Sequence, residues 1–145
     1  MKRFAVIASV AALFATSLNA GPIEDREALM KALGKAVGSV APIAKGEKEF
    51  DAGAVLAALQ EIDAQAQKLD VAALFPEGST NDQSEAAPKI WEDPASFQAA
   101  VDKFKADAAA AVAAAPADLD AFRAQFGAVT QNCGGCHQDF RLKKG

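Results

Sequence analysis

Cys133-Gly134-Gly135-Cys136-His137 falls in the last apolar repeat of this chain and contains both of its cysteines and its only histidine. C-x-x-C-H is the attachment pattern of c-type haem. Two thiols add across two haem vinyl groups and leave permanent thioether bonds. A spacing of three puts both sulfurs on one side of a helical turn. The histidine then reaches the iron from that side. One covalent haem c is therefore expected, held by Cys133 and Cys136, with His137 on the metal.

Other readings of the same residues fit less well. A thioredoxin-like redox pair sits near a βαβ pattern, and strand patterns are nearly absent here. A structural zinc site takes four ligands, whereas the chain offers two cysteines and one histidine. A disulfide across two residues would be strained and leaves the histidine unexplained.

The N-terminus has the form of an export signal. Lys2 and Arg3 precede an apolar stretch from Phe4 to Ala15 that only Ser9 interrupts. A short stretch ending in Ala20 follows, and cleavage is expected after Ala20. The apolar run is too short to span a bilayer core of ~30 Å. Residues 1–20 are thus assigned as a signal peptide and residues 21–145 as one haem-binding domain, exported to the periplasm and free of the membrane after processing. Cleavage removes two basic residues and no acidic one, which moves the formal charge from −4 to −6. An acidic chain without a basic run argues against nucleic acid and anionic membrane as partners.

Helical periodicity recurs four times. The first segment runs from about Ile23 to Ile43, with Met30, Leu33, Val37 and Val40 as its apolar stripe. Pro42 should end or kink it. The second runs from the N-cap Asp51 to Leu74 on Val55, Leu59, Ile62, Ala66, Leu69 and Ala73. The third starts at Asp93-Pro94 and ends before Pro116, on Phe97, Val101, Phe104, Ala108, Ala111 and Ala115. The fourth starts at Pro116-Ala117-Asp118 and runs to about Lys143, with Cys133 and Cys136 on its apolar seam. Four such helices predict an all-α, antiparallel four-helix bundle. The haem should then be partly buried near one end of it.

Residues 75–92 form the one long connection, with Pro76, Gly78, Asn81, Asp82 and Pro88 as loop signals. A connection of this length is expected to cover or serve a site. The alanine-rich run from Ala108 to Ala115 is read as helix filler. A thin face allowing close helix approach or access to the haem is the alternative. Gly134 and Gly135 would let a porphyrin lie close to the backbone, or are simply tolerated.

These residues resemble the class II c-type cytochromes, the cytochrome c′ family. The segments that carry the resemblance are Arg26-Glu27-Ala28-Leu29-Met30-Lys31, Gly46-Glu47-Lys48-Glu49-Phe50-Asp51, Leu74-Phe75-Pro76-Glu77-Gly78-Ser79, Pro88-Lys89-Ile90-Trp91-Glu92-Asp93, and Cys133 to Arg141. The resemblance implies His137 as proximal ligand and Met30 at the distal position. It implies Arg26 near a haem propionate, Arg141 on the proximal side, and Trp91 and Phe97 lining the pocket. Ordinary core packing is an equal reading of Trp91, Phe97 and Phe140. A solvated helix charge is the alternative for Arg26. Redox proteins are the implied partners, with a monomer or a homodimer as the assembly.

The family has two branches, which differ in whether the residue at the Met30 position ligates the iron; some five-coordinate members resemble this chain in carrying methionine there unligated. A thioether opposite histidine fills both axial positions and raises the reduction potential. Such a protein carries single electrons. An iron left five-coordinate binds nitric oxide or carbon monoxide instead. The segments Ala44-Lys45-Gly46-Glu47-Lys48 and Pro88 to Trp91 resemble the low-spin, methionine-ligated branch, so His/Met ligation by His137 and Met30 is expected. The only other methionine is Met1, which leaves with the signal peptide. Enzymatic chemistry is not expected, because the single histidine is committed to iron.

Overall fold

The computed structural model describes residues 21–143; the expected signal peptide lies outside them. Among the described residues there are six helices and no strand. Four are long: α1 (Pro22–Lys45), α2 (Ala52–Gln67), α5 (Pro94–Ala114) and α6 (Leu119–Phe140). Two are single turns, α3 (Val71–Leu74) and α4 (Lys89–Glu92). The short connections between α1 and α2 and between α5 and α6 make antiparallel pairs, and α2 packs on α5 to join them. The result is the expected four-helix bundle. Among the described residues no helix is long and apolar enough to cross a membrane.

Aspartate sets most of the helix starts. Asp51, Asp70, Asp93 and Asp118 each accept the backbone N–H three residues on, at 3.0, 3.0, 3.2 and 2.8 Å. Such a cap satisfies a donor that the helix leaves without a partner. Asp70 also explains why the second segment is not continuous to Leu74. Its carboxylate restarts the chain as α3 after α2 has closed at Lys68. Leu69 stays buried across the break.

Pro42 neither ends α1 nor marks its last turn as broken; the helix runs on to Lys45. Proline this close to the end removes one donor, and the carbonyl it would have met belongs to exposed Gly38, which water can reach. Gly46 makes the true stop at φ 78°. Its N–H bonds Ile43 O at 2.9 Å and the N–H of Glu47 bonds Pro42 O at 2.9 Å, the pairing of a Schellman end.

The core is one cluster drawn from all four long helices. Val55, Leu59 and Ile62 of α2, Val101 and Ala108 of α5, and Phe122 and Val129 of α6 lie in it as their spacing requires. On α1 the buried stripe is Leu29, Leu33, Ala36, Val40 and Ile43. It is turned by about one residue from the expected one. Met30 is left on its flank, 36% exposed.

Two other expectations change. The fourth helix ends at Phe140, short of Lys143, because the next residues leave the helix to pair with the long connection. Ala87 N–H bonds Phe140 O at 3.0 Å, Leu142 N–H bonds Glu85 O at 2.8 Å, and Arg141 is extended. Ala115 is not core; it ends α5 in the left-handed region at φ 40° and is exposed.

Candidate functional site

A cavity of about 690 Å³ opens between α1, α5, α6 and the long connection. Its size is that of a cofactor pocket. It lies where α1 and α6 meet more loosely than the other neighbouring long helices. Leu33 and Val37 of α1, Val101 and Phe104 of α5, and Phe140 of α6 give it an apolar lining. Cys133, Cys136 and His137 line it from α6, and Met30 lines it from α1.

The local sequence explains that convergence. Cys133 and Cys136 continue the stripe of Phe122, Phe126 and Val129 and are half-buried. Burial pushes both thiols above their usual pKa, and the neighbouring Cys133 and Asp139 push Cys136 further in the same direction. His137 lies at the cavity rim. Burial, and then the positive charge of Arg141, hold its pKa below the ordinary histidine value, against a smaller opposing effect of Glu85. The neutral imidazole favoured in this way is the form that binds metal. Gly134 and Gly135 are exposed and do not line the cavity; a Cβ on either meets open space. The alanine run contributes Ala108 and Ala111 to the core and nothing to the cavity wall.

The other sequence-derived candidates separate. Phe97 lines the cavity and packs edge-on against Phe75 and Phe140, with ring centres 4.8 and 5.0 Å away. Arg141 also lines it and pairs with Glu85 at 2.8 Å. Trp91 does not line it. Its indole N–H is turned to the carbonyl of Phe75 at 3.0 Å, so it braces the connection from behind. Arg26 lines the cavity but is no solvated charge, being only 5% exposed. Its guanidinium donates to Leu74 O, Ser79 Oγ, Ser79 O and Ser84 Oγ and lies 4.9 Å from the Phe75 ring centre. Burial lowers its pKa, opposed by Glu24 and Glu27.

The long connection serves the site as its length led one to expect: Gln83, Ser84, Glu85 and Ala86 all line the cavity. Loop composition gave the segment's existence, but nothing in it foretold a pairing with residues 140–142. Among the described residues no three His, Cys, Asp or Glu side chains converge as a metal site. A metal held here must bring further ligands with it, as a porphyrin does. Two thiols, one neutral imidazole and an apolar cavity of this size fit haem c.

Comparison with known proteins agrees. The family Cytochrome C' matches residues 21–141. Cytochrome c-556 of Agrobacterium tumefaciens (strain II Chrys) is 42% identical over 86% of this chain and 100% of its own length. The structure of cytochrome c' from Rhodopseudomonas palustris aligns with a TM-score of 0.79 and 39% identity, covering 88% of this chain and 100% of the other. A nitric oxide complex of a cytochrome c prime point mutant from Alcaligenes xylosoxidans aligns at 0.74 and 31%, covering 86% and 98%. The chain belongs to the cytochrome c′ family, the class II c-type cytochromes, and carries one covalently attached haem c.

Proposed function

We propose that the protein is a periplasmic one-electron carrier. Cys133 and Cys136 would hold its haem, and His137 and Met30 would be the ligands offered to the iron. The observation that carries this reading is the shared cavity. Met30 is the only methionine among the described residues, and it lines the space that Cys133, Cys136 and His137 line from α6. The haem supplies an iron that changes valence by one electron. His137 offers a neutral nitrogen, and Met30 offers a soft thioether that raises the potential. Phe97 and Phe140 keep water from the pocket wall. Arg141 holds Glu85 against the end of α6 on the His137 side.

The other parts of this reading are a signal peptide over residues 1–20, a mature bundle over 21–145, and redox proteins as partners. Proteins of this family are often homodimers, and that is the assembly we propose. Met30→Ala tests the ligation. It should turn a low-spin spectrum high-spin, lower the potential and open the iron to carbon monoxide.

A second reading has its own support. A point mutant of the Alcaligenes xylosoxidans relative forms a nitric oxide complex. On this reading the iron is five-coordinate, Met30 is a pocket wall, and the protein binds nitric oxide or carbon monoxide.

A further inference from the structure

Arg26 spends its side chain on one segment of the chain. Its two terminal nitrogens reach Leu74 O at 3.1 Å, Ser79 Oγ at 3.0 Å, Ser79 O at 2.8 Å and Ser84 Oγ at 3.2 Å. Leu74 and Phe75 anchor the start of that segment against the core, but beyond them it has little apolar anchorage. Glu77, Gly78, Thr80, Asn81, Asp82 and Gln83 are all exposed. Its start is tied by Trp91 to Phe75 O, and its end by the backbone bonds of Glu85 and Ala87 to residues 140–142. Between those ties, the long-range side-chain bonds come from Arg26.

We infer that Arg26 is a positioning residue, a latch that seats residues 74–84 as one wall of the haem cavity and so limits small-molecule access to the iron. The fold supplies the reason. Arg26 lies one turn before Met30 on α1, and the segment it holds continues into Gln83, Ser84 and Glu85 of the cavity lining. A planar fork satisfies two backbone carbonyls and two hydroxyls at once, which an ammonium cannot do. The inference rests on haem filling this cavity and not on whether Met30 ligates.

Two measurements on the holoprotein test it. Hydrogen exchange reads the backbone of residues 79–85 in wild type, Arg26→Gln and Arg26→Lys. Both variants should exchange there about tenfold faster or more, since charge-assisted bonds are lost. Carbon monoxide association with reduced haem is read in a Met30→Ala background, where the iron is open under either ligation scheme. Adding Arg26→Gln should speed association several-fold while helix content by circular dichroism stays unchanged. If Arg26→Gln does not fold, Ser79→Ala with Ser84→Ala leaves the arginine in place and should shift both readouts in the same direction. Unchanged exchange at 79–85 would overturn the latch. Faster exchange with unchanged association would overturn its control of access.

Discussion

Asn132 Nδ2 donates to Asp107 Oδ2 across 2.7 Å, tying α6 to α5 one residue before Cys133. Lys103 first, and then Asn132, hold the Asp107 carboxyl below its usual pKa. A carboxylate lowered by folding stabilises the native state above its unfolded pKa, and that contribution is lost as pH falls through the folded value. Asp107→Asn should therefore cost up to about 1 kcal/mol at neutral pH, and the difference should shrink as the solution is made acidic enough to protonate the folded-state carboxyl. Denaturant midpoints of the two proteins across that range check it. A gap that stays constant with pH would show that the charge is not responsible.

Ala115 ends α5 at φ 40°, ψ 63°. A Cβ in the left-handed region costs about 1–2 kcal/mol, which glycine avoids while giving back part through its freer unfolded chain. Ala115→Gly should stabilise by roughly 0.5–1 kcal/mol net. Thermal unfolding of holoprotein measures it.

Trp91 braces Phe75 O without touching the cavity. Trp91→Phe keeps an aromatic ring and removes the donor. It should destabilise by about 1 kcal/mol and leave the haem absorption spectrum unchanged. A spectral change at equal folding would place Trp91 in the haem environment after all.

Much of this was legible in the chain because helices declare themselves by period. The stripes of α2, α5 and α6 come straight from apolar spacing, and three of the four aspartate caps stand where capping chemistry puts them. The haem motif is readable because its chemistry fixes residue types and spacing together. Failures came where tertiary contacts decide. Met30 and Leu29 are equally apolar, so local pattern could not say which of them faces the core and which the cavity. Arg26 looks like any helix charge until the segment it grips, 48 to 58 residues away, is folded against it. Lys143 was placed inside α6 because nothing in the sequence marks the pairing of residues 85–87 with 140–142. Trp91 was drawn into the pocket by resemblance, while its own N–H needed a partner and found Phe75 O.

Met30 decides between the carrier and the gas binder. The direct measurement is the absorption spectrum of wild-type holoprotein, oxidised and reduced, before and after carbon monoxide is added. His137 and Met30 on the iron predict a low-spin spectrum in both states that carbon monoxide leaves unchanged. A high-spin spectrum that shifts promptly with carbon monoxide would contradict the carrier account.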